Sequence, residues 1–127
     1  MVLIVGGRSQ GKLAFARSLF PEYKELDFGD GRVESPDELL NFPCLCHFET
    51  LVQKLLKAGQ EPAAWLEDYL GQHPDAVIIS DEIGSGIIPM DPFEEEWREA
   101  AGRALCDLAG RSAAFYRVIC GCGQRIK

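Results

Sequence analysis

Seven consecutive residues, Gly6-Gly7-Arg8-Ser9-Gln10-Gly11-Lys12, fit the pattern G-x-x-x-x-G-K. In such a loop the backbone N–H groups and the N-terminus of the following helix cradle phosphates, while the lysine neutralises them. Glycines let the backbone wrap a phosphate closely, and Lys12 stands at the helix start, from where its chain folds back over the loop. The expected phosphate-binding residues are therefore Gly6, Gly7, Arg8, Ser9, Gln10, Gly11, Lys12 and Leu13. Position 13 departs from the pattern. A Ser or Thr hydroxyl ordinarily ligates Mg²⁺ there, whereas Leu13 offers no oxygen, and Ser9 is the nearest hydroxyl.

Asp81 and Glu82 follow the apolar run Ala76-Val77-Ile78-Ile79-Ser80. An acid delivered by the carboxyl end of a buried strand can hold Mg²⁺, directly or through water, or accept the proton of an attacking hydroxyl. Lys12, Asp81 and Glu82 are thus the expected catalytic residues, and Asp81 the expected metal ligand. Other chemistry-bearing residues give weaker signals. Cys44/Cys46 and Cys120/Cys122 are C-x-C pairs, shorter than the C-x₂₋₄-C spacing of zinc sites, and read as ordinary thiols. His47 and His73 stand apart, without a ligand pattern around either.

The elements that position these groups follow from hydrophobic periodicity. Residues 1–5 form a continuous apolar run stopped by two glycines, a strand buried on both faces. Residues 12–20 repeat Leu13, Phe15, Ala16 and Leu19 at helical spacing and are closed by Pro21. A second strand is expected over 23–28, ending at the turn Gly29-Asp30-Gly31, and a capped helix from Ser35 through Leu40. A third strand over 44–48 precedes an amphipathic helix ending at Gly59, then a helix over 62–70. After the strand that delivers Asp81 come a loop over 83–90 and a long helix opened by Asp91-Pro92-Phe93-Glu94. A last core strand is expected over 116–120, and an edge strand over 124–127 after a turn at 121–123. Strands alternating with helices predict one α/β domain over residues 1–127, a nucleotide-binding P-loop domain with a mainly parallel sheet.

Composition narrows the partners. Thirteen Lys+Arg against 20 Asp+Glu leave a net charge of −7, the wrong sign for binding a nucleic-acid backbone. No apolar run approaches the ~20 residues of a membrane span. The run at 1–5 lacks a basic segment before it, so it does not read as a signal peptide, and a cytoplasmic setting with reduced thiols is expected. Neither nucleic acid nor membrane is an expected partner.

Three segments, Glu82-Ile83-Gly84-Ser85-Gly86-Ile87-Ile88-Pro89, Arg98-Glu99-Ala100-Ala101-Gly102-Arg103 and Gly121-Cys122-Gly123-Gln124-Arg125-Ile126-Lys127, together resemble a P-loop family. That family is adenosylcobinamide kinase/adenosylcobinamide-phosphate guanylyltransferase, whose pattern is similar in order and spacing over residues 75–127. With the loop at 6–12, roughly half of the chain carries the resemblance. It implies a three-layer, RecA-like P-loop fold with helices on both faces of the sheet. It also implies phosphorylation of the hydroxyl of adenosylcobinamide by ATP or GTP with Mg²⁺, often followed by transfer of GMP from GTP, in cobalamin biosynthesis. A small-molecule corrinoid is then the substrate, and a homo-oligomer, typically a trimer, the cytoplasmic assembly.

The departures matter as much. The family carries a histidine-bearing segment that takes the guanylyl group, but residues 21–42 contain no histidine. Its acidic strand end, L-E-C or L-D-C, corresponds to Leu45-Cys46-His47, which has no acid, and the asparagine two residues after its G-R is Leu105. A kinase without the transferase half is the expected function; the alternative is a nucleotide-binding accessory protein that kept the fold and lost turnover.

Overall fold

The computed structural model describes residues 1–83 and 91–127. Residues 84–90, which carry the G-x-G-I-I-P part of the resemblance and most of the loop expected over 83–90, lie outside the described residues. In chain order the elements are β1 (Val2–Gly6), α1 (Lys12–Leu19), β2 (Phe28–Asp30), α2 (Pro36–Leu39), β3 (Cys44–Cys46) and α3 (Phe48–Lys57). They continue with α4 (Pro62–Gln72), β4 (Val77–Asp81), α5 (Pro92–Arg111), β5 (Ala114–Ile119) and β6 (Cys122–Arg125).

The six strands form one sheet in the order β2-β3-β4-β1-β5-β6. The first five run parallel and β6 returns antiparallel to β5. β1 lies between β4 and β5, and successive side chains of a strand point to opposite faces. Leu3 and Val5 therefore join Leu45, Ile78 and the apolar faces of α3, α4 and α5 in one cluster, while Ile4 joins Val77, Ile79, Val118 and Ala16 of α1 in the other. Helices cover both faces, which makes the three-layer α/β architecture expected of a P-loop domain. Both strong apolar runs are accordingly central strands, with Leu3, Ile4, Val77 and Ile78 fully buried.

The helix starts follow local chemistry. Ser35 accepts from the Glu38 N–H at 3.2 Å while the Glu38 carboxylate accepts from the Ser35 N–H at 3.1 Å, closing the capping box with Pro36 at the first helical position. Asp91 caps α5 by accepting from the Glu94 N–H at 2.8 Å. Ala100, Ala101, Ala104 and Leu108 are the buried stripe of α5. No helix of the described residues is long and apolar enough to cross a membrane.

Two strands differ from the expected ranges. Instead of a strand over 23–28, a short 3₁₀ turn occupies Glu25–Asp27, where the Asp27 carboxylate accepts from the Lys24 N–H at 2.8 Å and Leu26 faces solvent. The strand begins at Phe28 and takes in Gly29, which packs under Leu39 and Phe42; a β-carbon at Gly29 would stand 2.7 Å from both. A glycine read as a turn is thus a close approach within the sheet.

At the other edge, β5 starts earlier than expected and ends at Ile119. Cys120 and Gly121, with φ of 49° and 76°, form the two-residue turn, and Ile119 pairs with Cys122. The edge strand is therefore Cys122–Arg125 rather than 124–127, and Gly123 belongs to it, packed against the Phe15 ring. Cys120 is exposed rather than a core residue.

Candidate active site

The loop between β1 and α1 lies at the carboxyl edge of the parallel sheet, the side on which open α/β sheets hold their ligands. Gly11 precedes α1 with φ 85°, a left-handed conformation that costs glycine nothing and frees the first N–H groups of the helix to face outward. Lys12 is only 7% exposed. Its Nζ donates to the Gly7 carbonyl at 2.7 Å and stands 2.5 Å from Asp81 Oδ1. This contact follows from register, since parallel pairing sets Gly6 of β1 beside Asp81 of β4.

Asp81 in turn meets an acid that the sequence reading missed. Its N–H donates to Glu49 Oε1 at 2.8 Å. Glu49 sits in the first turn of α3 and is 6% exposed. Its Oε2 accepts from the N–H and the hydroxyl of Thr50, both at 3.1 Å, and Trp97 Nε1 donates to its carbonyl at 2.8 Å. These bonds fix the Glu49 carboxylate and its helix turn in place. His47 Nδ1 lies 3.7 Å from Glu49 Oε2, so that one ligand atom each of His47, Glu49 and Asp81 falls within 4.8 Å of the others. The acid absent from Leu45-Cys46-His47 is thus supplied three residues after Cys46. The one signal for it was an acid in the first turn of an amphipathic helix, which ordinarily reads as a favourable dipole interaction.

These groups line a cleft of about 780 Å³. Arg8, Ser9, Gln10, Gly11, Lys12 and Leu13 form one side, and Asp30, Arg32, Cys46, His47, Glu49 and Asp81 belong to the same lining. Two of the loop residues have further partners. Gln10 fastens the loop to the β5–β6 turn, its Oε1 accepting from the Cys120 N–H at 2.6 Å and its carbonyl from the Gly121 N–H at 2.8 Å. Leu13 packs against the apolar cluster beneath α1, which explains an apolar residue where a hydroxyl is usual.

Glu82 is placed apart from this group. Its carboxylate meets Arg117 Nε at 3.2 Å, is 42% exposed and is not part of the cleft lining, while its N–H donates to the Gly6 carbonyl at 3.0 Å. The histidines also separate. His47 borders the cleft, whereas His73 ends α4 with Nε2 2.7 Å from the Leu40 carbonyl and its ring against Tyr69.

Three ionisable groups of β2 and β3 are shifted by burial and by their partners. Burial pushes the Cys46 thiol up to about 12 and Cys44 to about 11, so both are neutral thiols at physiological pH. Burial also opposes ionisation of Asp30, but hydrogen bonds from the Arg32 side chain and backbone outweigh it and hold the carboxyl below its ordinary value. The two C-x-C pairs lie far apart, Cys44 and Cys46 on β3 and Cys120 and Cys122 beyond β4 and β1 at the β5–β6 hairpin. Their four thiols do not form one site.

Comparison with known proteins adds an independent observation. The family model for cobinamide kinase / cobinamide phosphate guanyltransferase matches residues 44–126, from the start of β3 to the residue after β6. The glycine-rich loop lies outside the matched stretch and stands on its own geometry. No curated protein matches the chain.

Proposed function

Because this chain belongs to the cobinamide kinase / cobinamide phosphate guanyltransferase family, we propose that it transfers the γ-phosphoryl group of ATP or GTP to the hydroxyl of adenosylcobinamide. The observation that carries this reading is the convergence of Lys12, Asp81 and Glu49 at the mouth of a glycine-rich loop. Phosphoryl transfer leaves little covalent work to the protein; positioning and charge do most of it. The loop N–H groups and the α1 N-terminus hold the triphosphate, and Lys12 turns from the Gly7 carbonyl toward the transferred group.

The residues present also fit Mg²⁺, which is bound in such sites by one or two carboxylates together with substrate phosphate oxygens. Asp81 and Glu49 are the carboxylates that would hold the ion, which when bound would supply charge neutralisation for the transferring phosphoryl group. Glu82 belongs to a different task in this reading, pairing with Arg117 across β1 to tie β4 to β5.

Guanylyl transfer is not part of the proposal. A nucleophilic histidine must reach the α-phosphate, and of the two histidines His73 is bound to Leu40 beyond the cleft lining. The test is direct. Incubation with adenosylcobinamide, Mg²⁺ and either nucleotide should yield a phosphorylated corrinoid, and GTP labelled on its α-phosphate should leave no acid-labile label on the protein. Bound nucleotide without product would select the accessory-protein reading. Label lost in His47→Ala would establish the bifunctional one.

Leu13 supplies a separate expected result. Leu13→Ser restores an oxygen next to Lys12 and should tighten Mg²⁺–nucleotide binding. It also removes apolar contacts, at a cost toward the lower end of the ~2–5 kcal/mol of buried large-to-small changes, because Leu13 is only half-buried. Titration calorimetry with and without Mg²⁺, paired with thermal unfolding, separates the two effects; a stable variant with no gain in affinity would remove the hydroxyl argument.

A further inference from the structure

At the β2–β3 end of the cleft, three residues of different chemistry meet. Asp30 ends β2 and is paired in parallel register with Cys46, which ends β3, and His47 follows directly. A carboxylate oxygen, the thiol sulfur and one ring nitrogen of these residues all lie within 4.8 Å of one another. We propose that Asp30, Cys46 and His47 form a binding site for a divalent transition-metal ion of the zinc class. The three residues share the cleft with the glycine-rich loop, but the inference does not rest on the kinase reading, because their donor atoms meet without any nucleotide.

The donor set carries the argument. Mg²⁺ takes oxygen ligands almost exclusively, whereas a mixed carboxylate, thiolate and imidazole set suits Zn²⁺ and its neighbours. Three protein donors are also the number found where one coordination position stays open, and all three residues line the cleft. The surroundings are of the kind that orient ligands. Arg32 donates to both carboxylate oxygens of Asp30, from Nε at 3.3 Å and from a terminal nitrogen at 3.0 Å, and the Glu49 carboxylate lies 3.7 Å from His47 Nδ1. His47 holds a left-handed backbone, φ 55°, at the start of α3 without using its side chain as a cap. Binding converts the Cys46 thiol to a thiolate bonded to the metal, and its proton passes to solvent.

The test uses the whole chain in reduced form without nucleotide, with Zn²⁺ competed against a chromophoric chelator and Co²⁺ as the spectroscopic probe. The expected result is one ion per chain, not displaced by excess Mg²⁺, with a thiolate-to-cobalt charge-transfer band. Cys46→Ser should abolish the band and weaken Zn²⁺ binding by at least the ~10- to 100-fold typical of losing even an outer-shell partner. Asp30→Asn and His47→Asn should weaken Zn²⁺ comparably; the second keeps a residue that tolerates the left-handed backbone, so the site is still tested if Cys46→Ser unfolds. The double variant Cys120→Ser/Cys122→Ser, at the exposed hairpin, should bind as the parent does. Absence of stoichiometric binding would overturn the proposal, and so would loss of the band in the hairpin variant with its survival in Cys46→Ser.

Discussion

Lys12→Ala is expected to reduce turnover by about 10²–10³-fold and to weaken triphosphate binding, since removing one fixed stabiliser of transition-state charge typically costs that much. Lys12 is held in place by what it touches. Its ammonium is nearly enclosed, bonded to the Gly7 carbonyl and paired with Asp81, so its position is set before any phosphate arrives. Truncation leaves Asp81 without its cation. That carboxylate retains 22% exposure, so water can solvate it, and the stability loss should fall short of the ~3–5 kcal/mol seen when a fully buried pair is broken. Calorimetric nucleotide titration and a thermal melt on the same variant check both halves. Unchanged nucleotide affinity would remove the phosphate-loop assignment.

Glu49→Gln should lower kcat by about 10²-fold while nucleotide affinity changes little, because the substitution removes charge and keeps shape. The glutamine carbonyl can still accept from the Asp81 N–H, so the fold should persist. The companion variant Glu82→Gln makes the prediction selective. Its ion pair with Arg117 is 42–50% exposed, and the ~1 kcal/mol ceiling for such pairs corresponds to no more than about fivefold in any equilibrium. Steady-state kinetics on both variants decides the matter: equal losses would return Glu82 to the catalytic set, and a wild-type rate in Glu49→Gln would make Glu49 a structural acid.

Lys12 and Asp81 were legible in the sequence for a physical reason. Each follows a continuous apolar run, such runs become adjacent central strands, and parallel register then brings their carboxyl ends together. Glu49 was hidden because its placement depends on how β3 turns into α3. Only His47 and Phe48 separate the strand end from the acid, and His47 takes a left-handed backbone that is uncommon for any residue but glycine. The edge strands were obscured by glycine, whose absent side chain serves a turn at Gly121 but close packing at Gly29 and Gly123. Periodicity cannot distinguish these uses, because the difference lies in a distant partner: Phe42 for one glycine and Phe15 for the other.

The two bonds that Gln10 accepts from the N–H groups of Cys120 and Gly121, one on its side chain and one on its carbonyl, join residues about 110 positions apart. A ribosome making this chain releases the phosphate loop early and the hairpin that fastens it late. Until β5 docks beside β1, Gln10 has neither of these donors. Under the proposed function, a nucleotide that binds the fastened loop would also stabilise the docked β5–β6 hairpin by mass action. Ligand affinity at the loop and docking of the sheet edge would then be two readings of one equilibrium.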